Sequence, residues 1–170
     1  VQGLDAMGGV GVFPREVQQA VLDGRADLAV HSLKDLPTEL PAGLTLGAIT
    51  RREDPREVLL YRDLSDGRGF EPGLTIAQLP ADLTVATSSP RRKAQLLRLR
   101  PDWRITDIRG NVPTRLDKLA IDPQIDATVL AHAGLRRLDF EAGKDGLLRG
   151  DAVPDGTCAT IVETSEMLPC

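Results

Sequence analysis

Leu83-Thr84-Val85-Ala86-Thr87-Ser88-Ser89-Pro90-Arg91-Arg92 sets a strand, a turn and a helix start in one short run. The apolar stretch Leu83 to Ala86 reads as a short buried strand, and the three hydroxyl residues after it supply helix caps. Pro90 then takes a first helical position, where a missing amide proton costs nothing. The helix runs to about Leu99 and stops before Pro101. Its charge is unusual. The amino end of a helix is partially positive and favours acidic residues by about 0.3 to 1 kcal/mol each, yet this helix opens on two arginines.

The same layout recurs along the chain. Arg104 to Ile108 reads as a strand, followed by Arg109-Gly110-Asn111-Val112-Pro113-Thr114-Arg115 and a helix with Leu116 and Leu119 on one face. Ala127 to Ala131 reads as a strand before Gly134-Leu135-Arg136-Arg137-Leu138, taken as a glycine turn with arginines entering a helix. Ala26 to Val30 reads as a strand before His31-Ser32-Leu33-Lys34-Asp35-Leu36-Pro37, which puts a lysine and an aspartate at a strand's carboxyl edge. Strands alternating with helices predict an α/β fold, and in open α/β sheets ligands bind at that edge. Arginines at helix entrances cost stability unless an anion arrives, so Arg91, Arg92, Arg109 and Arg115 are candidate ligands for carboxylates or phosphates. On this reading, removing Arg91, Arg109 or Arg115 leaves ligand-free stability unchanged or raised. Arg98, Arg100 and Arg136 read as ordinary solvated helix arginines. Lys34 and Asp35, taken alone, are equally a solvated turn with a neighbour ion pair.

Composition narrows the partners. With 21 Lys and Arg against 25 Asp and Glu, the net charge is -4, and only 3% of residues are aromatic, which argues against a nucleic-acid surface. The 170 residues, 41% hydrophobic, can bury a core as one domain or two small lobes. No apolar run approaches the roughly 20 residues of a membrane helix, and no basic-then-apolar leader is visible, so a cytosolic protein is expected. Cys158 and Cys170 lack metal-ligand spacing, and His31 and His132 are too scattered to form a cluster, so no metal is expected. His132, in an apolar strand, reads as a core histidine.

Organisation follows from the breakers. Gly8-Gly9-Val10-Gly11 reads as a loop before a helix opened by Pro14 and stopped by Gly24, without the lysine and hydroxyl of a phosphate loop. Leu44 to Ile49 reads as a further strand, and the charged, proline-broken stretch Thr50 to Arg56 as a lobe boundary. From Glu57 to about Leu79 the chain reads as a surface excursion that includes Ser65-Asp66-Gly67-Arg68-Gly69. Beyond it, Gly143 to Gly146 reads as a turn and Ala159 to Glu163 as a short strand.

Five ordered blocks carry a resemblance. Gly24-Arg25-Ala26-Asp27 through His31-Ser32-Leu33-Lys34-Asp35-Leu36-Pro37, Arg52-Glu53-Asp54-Pro55-Arg56, Thr87-Ser88-Ser89-Pro90-Arg91-Arg92, Ile108-Arg109-Gly110-Asn111-Val112-Pro113-Thr114-Arg115-Leu116 and Leu130-Ala131-His132-Ala133-Gly134-Leu135-Arg136-Arg137-Leu138 together resemble the porphobilinogen deaminase, or hydroxymethylbilane synthase, family. So many blocks in order are far more specific than one motif.

The resemblance implies an α/β chain of two periplasmic-binding-protein-like lobes, mixed sheets flanked by helices, with the first lobe incomplete and the family's third α+β domain absent. Residues 1–52 would form the partial first lobe, 57–153 the second, and 154–170 a return segment toward the first. It implies a cytoplasmic, monomeric transferase of tetrapyrrole biosynthesis that deaminates porphobilinogen and joins four units into linear hydroxymethylbilane on a dipyrromethane cofactor. Neither Cys158 nor Cys170 matches the family's attachment cysteine. By the family pattern Asp35 is the catalytic carboxylate, stabilising positive charge as ammonia leaves. Ser32, Lys34, Thr87, Ser89, Arg91, Arg92, Arg109 and Arg115 match cofactor-binding positions, and Arg109, Arg115 and Arg137 match substrate-binding positions. The alternative is a non-catalytic module of the same fold that binds an anionic ligand. Asp35 is expected to separate the two, since a receptor for carboxylates gains nothing from a buried acid among arginines, whereas a deaminase needs one.

Overall fold

In a computed structural model of the chain, residues 12–64, 67 and 69–169 are described. The loop Gly8 to Gly11, Ser65, Asp66 and Arg68 of the expected excursion, and Cys170 lie outside the described residues. The chain divides into two compact units, Val1–Arg51 and Arg52–Cys170.

The first unit carries helix α1, Val12–Leu22, which starts ahead of Pro14. It ends as expected at Gly24, whose φ of +70° suits a residue without a Cβ. The expected strands Ala26 to Val30 and Leu44 to Ile49 are not formed: both stretches are unpaired. A strand is completed by a neighbour, and none is present among the described residues of this unit, so Leu28 and Val30 stay 70% and 90% exposed. A single 3₁₀ turn, Leu33–Asp35, follows, closed by Leu36 N–H donating to the carbonyl of Leu33.

The second unit is built on a mixed sheet of five strands: β1 Glu57–Arg62, β2 Thr84–Ala86, β3 Arg104–Thr106, β4 Ala127–Ala131 and β7 Thr157–Val162. Their order is β3-β2-β4-β1-β7. β2 is parallel to both β3 and β4, while β1 is antiparallel to β4 and β7. Helices α2, Pro90–Leu99, α3, Val112–Ile121, and α4, His132–Arg136, join these strands. A two-stranded ribbon of β5, Glu141–Ala142, and β6, Leu148–Arg149, precedes β7.

The largest departure from the sequence reading is β1, which lies between β4 and β7 where a surface excursion was expected from Glu57. All six of its residues are buried. Leu59 and Tyr61 enter one cluster with Leu96 of α2, Trp103, Val129 and Met167. Val58 and Leu60 enter the other, with Leu116 and Leu119 of α3, Leu130 and Leu135. A strand covered on both faces needs an apolar run rather than an alternation, and each such side chain contributes about 1.5 to 3 kcal/mol. Residues 157–162, expected on a return toward the first lobe, form β7 at the sheet's edge. Gly134 lies inside α4 rather than in a turn before it, and Arg136 and Arg137 stand at that helix's end.

Arg62 explains how a charged residue ends a buried strand. It is 7% exposed, and its Nη1 donates at 2.6 Å to the carbonyl of Leu119, which has no helical partner in the last turn of α3, and at 2.8 Å to that of Ile125 in the loop before β4. Arg100 plays a related part by donating to the carbonyls of Ile76, Leu79 and Pro80, with Trp103 under its guanidinium at 4.6 Å. Arg62→Met, which keeps the stem and removes the donors, is expected to lower stability by about 2 to 3 kcal/mol, read as a fall in the denaturation midpoint at unchanged m-value.

Candidate anion-binding site

β2, β3 and β4 run in the same direction, so their carboxyl ends share one edge of the sheet. β1 runs the other way and begins there, with Glu57 opposite Ala131. The loops at this edge are tied by side chains. Ser88 Oγ donates to the carbonyl of Ile108 at 2.9 Å and accepts from its N–H at 3.1 Å, joining the loop after β2 to the loop after β3. Thr87, 3% exposed, donates its N–H to the carbonyl of Thr106 at 2.8 Å, and its Oγ1 accepts from Ser89 N–H. Ser89 caps α2 by accepting from Arg92 N–H at 3.4 Å, and Asn111 caps α3 by accepting from Thr114 N–H at 2.9 Å. At Gly110 a Cβ would stand 2.7 Å from Thr114 Cγ2 on a backbone with φ of +125°, so only glycine suits the turn between Arg109 and the cap.

Both caps are neutral, and the first turns of α2 and α3 hold no acidic residue. The acid comes instead from the sheet. Glu57, 2% exposed, accepts from Arg91 Nη2 on one carboxylate oxygen and from Arg92 Nη2 on the other, the latter at 2.7 Å. Arg91 Nη1 also donates to the carbonyl of Leu168. Arg92 Nε is buried without a hydrogen-bond partner. Arg115 Nε donates to the carbonyl of Gly110 at 2.8 Å, and burial together with the charge of Arg92 pulls its pKa below the ordinary value. The Glu57 carboxylate is thus shared by Arg91 and Arg92, while Arg115 stands within the field of Arg92 where solvent is partly excluded, so positive charge exceeds negative at this edge.

Six of the residues expected at the site therefore lie at this edge: Thr87, Ser89, Arg91, Arg92, Arg109 and Arg115. Arg109 is exposed, and its carbonyl accepts from Lys118 Nζ at 2.9 Å. Arg137 stands exposed at the C-cap of α4 and not at a helix entrance. Ser32, Lys34 and Asp35 belong to the first unit, where all three are exposed on or beside the 3₁₀ turn. Glu57 was not anticipated; the signal for it was the uninterrupted run Val58-Leu59-Leu60-Tyr61, which marks a two-sided buried strand beginning beside it.

A second charged group, also unanticipated, lies just before β1. Asp54 accepts four bonds from Arg56, one from its backbone N–H, two from Nε and one from Nη2, and the Arg56 guanidinium holds its carboxyl far below the usual range. His132, expected inside a strand, is instead the first residue of α4, with Nδ1 3.1 Å from Asp54 Oδ2. Arg56 also reaches Glu163 at 2.8 Å. Among the described residues no group of three or more His, Cys, Asp or Glu could hold a metal ion.

Cys158 is fully buried within β7, and burial pushes its thiol up to about 12. A thiol of that kind reacts slowly, because the thiolate is the nucleophile. Iodoacetamide at pH 8 is expected to leave Cys158 unmodified in the folded chain and to modify it after denaturation, as read by peptide mapping.

The pairing with Glu57 changes what the arginines contribute to the ligand-free fold. Arg91→Met or Arg92→Met leaves a buried carboxylate short of a partner and is expected to cost about 3 kcal/mol. Arg115→Met removes a partly desolvated charge that has no ion pair among the described residues and is expected to leave stability unchanged or slightly raised. Denaturant titration of the ligand-free variants reads this order.

The family model described as "Porphobilinogen deaminase, dipyromethane cofactor binding domain" matches residues 1–164. The porphobilinogen deaminase of Brevibacillus brevis is 49% identical over 138 residues, 81% of this chain and 41% of that protein. That of Cutibacterium acnes is 49% identical over 144 residues, 79% of this chain and 40% of that protein. That of Moorella thermoacetica is 47% identical over 159 residues, 94% of this chain and 46% of that protein. The chain spans less than half the length of these relatives, and with its family model matched over nearly all of its residues it belongs to the porphobilinogen deaminase family, in the domain that binds the dipyrromethane cofactor.

Proposed function

We propose that this chain forms part of a hydroxymethylbilane synthase, which deaminates porphobilinogen and joins four units head to tail into linear hydroxymethylbilane. The observation that supports this most is the edge where Arg91 and Arg92 share the Glu57 carboxylate and Arg115 adds a further positive charge beside Arg92. Porphobilinogen and dipyrromethane carry two carboxylates on each pyrrole ring, so a polycarboxylated ligand matches that excess charge. The residues present fit the cofactor. Arg92 Nε is a buried donor without a partner, and Arg115 is partly desolvated beside a like charge; a ligand carboxylate relieves both.

In this reading Ser32, Lys34, Thr87, Ser89, Arg91, Arg92, Arg109 and Arg115 hold acetate and propionate groups of the cofactor, while Arg109, Arg115 and Arg137 hold those of incoming substrate. When bound, the cofactor supplies the nucleophilic pyrrole carbon on which the chain of rings grows. The protein's own part is positional and electrostatic. Arginine forks orient each ring by its carboxylates, and loss of ammonia leaves positive charge on the substrate methylene. Asp35 supplies the opposite charge at that point and accepts a hydrogen bond from the pyrrole N–H, in the way that fixed charges act where transition-state charge develops. A two-lobed, periplasmic-binding-protein-like arrangement, a cytoplasmic location and a monomeric state complete the proposal. Among the described residues no helix is long and apolar enough to cross a membrane.

Asp35→Asn in a complete enzyme of this family carrying the chain is expected to keep the fold and lower turnover by two to three powers of ten, the effect of losing about 3 to 4 kcal/mol of transition-state stabilisation. Ammonia release from porphobilinogen measures it; near-normal turnover removes Asp35 from the role.

A further inference from the structure

Glu57 is the first residue of β1 and is held from both sides, opposite Ala131 of β4 and Val162 of β7. Its carboxylate therefore has a fixed position. Arg91 and Arg92 do not share that advantage. Neighbours on a helix point about 100° apart, and two like charges diverge further unless something gathers them. Glu57 gathers them by giving each arginine one oxygen, both through Nη2. That geometry turns the first turn of α2 into a paired fork. Arg91 keeps Nη1 on the carbonyl of Leu168, and Arg92 keeps a buried Nε with no hydrogen-bond partner.

We infer that Glu57 is a positioning residue for the anion site: it converges Arg91 and Arg92 into one preorganised fork for a ligand carboxylate, and that benefit outweighs the repulsion its own charge exerts on the ligand. The inference rests on the reading of this edge as a carboxylate-binding site. It goes against simple charge counting, which assigns an acid in an anion site a purely unfavourable effect. Neutralising Glu57 separates the two effects by sign, because less repulsion tightens anion binding whereas a lost fork weakens it.

The test is calorimetric titration of the full chain with porphobilinogen at low and physiological ionic strength. Glu57→Gln is expected to weaken binding at least fivefold although the chain becomes less negative by one charge. Glu57→Asp, which keeps the charge and withdraws it by one methylene, is expected to recover part of the affinity. Side-chain NMR of the arginines supplies an independent readout, in which two Nε–H signals distinct in the wild type move toward free-arginine values in E57Q. Equal or tighter binding by E57Q overturns the positioning role while leaving the anion site standing. Absence of binding by the wild type overturns the carboxylate-site reading and this inference with it. If E57Q does not fold, E57D carries the test: weaker binding supports positioning, and unchanged binding overturns it.

Discussion

The burial of Glu57 is the constraint around which this edge of the second unit is arranged. Taking a carboxylate out of water costs several kcal/mol unless charge and hydrogen bonds replace the solvent, and Arg91 and Arg92 make that replacement from the first turn of α2. The consequence reaches beyond one helix. Because Arg91 also donates to Leu168, and Gln95 exchanges bonds with Leu168 at 2.6 and 3.1 Å, the same turn that compensates Glu57 also holds the end of the described chain. Met167 beside it is fully buried in the cluster that includes Leu59 and Tyr61. The sheet, the helix and the terminal segment are joined at a point where ordinary helix electrostatics would disfavour cations.

Much of the second unit was legible in the sequence because its signals are local. The apolar run ending at Ala86, the hydroxyl cap, Pro90 and the stop at Pro101 lie within one helix length, and they specify β2 and α2. Asn111 and Pro113 do the same for α3. What was not legible depends on partners far along the chain. Glu57 and Arg62 make β1 look like a charged surface stretch because their partners, Arg92 and the carbonyl of Leu119, lie 35 and 57 residues away. A buried charge cannot be told from a solvated one until the group that neutralises it is located. The strand patterns at 26–30 and 44–49 show the converse: the apolar content is present, but pairing is not a property of one segment.

The candidate site was legible to a different degree. Arginines at helix entrances were visible, and so was the inference that they need an anion. The assumption that the anion must come from outside was incomplete, because a first carboxylate is already built in. For that reason Arg91 and Arg92 have a structural part whatever they bind, whereas Arg115, tied to the carbonyl of Gly110 and disfavoured by Arg92, is the member whose presence the described ligand-free fold does least to explain. An excess of cations over internal acids, rather than the number of arginines, is what marks the edge as a receiver of anions.

Asp35 stands in a contrasting setting, and the contrast bears on its chemistry. It sits on a single 3₁₀ turn with no buried residue, held by its own N–H donating to the carbonyl of Ser32 at 3.0 Å and followed two residues later by Pro37. A carboxylate that must stabilise a developing cation has to remain ionised, so it cannot be buried without a partner, and a partner as firm as the arginines of Glu57 would spend its charge before the substrate arrives. On the proposed function the two acids would divide the work accordingly. Glu57, saturated by arginines and withdrawn from solvent, is suited to organising cations, and Asp35, exposed on a short turn, is suited to meeting one that appears only during the reaction.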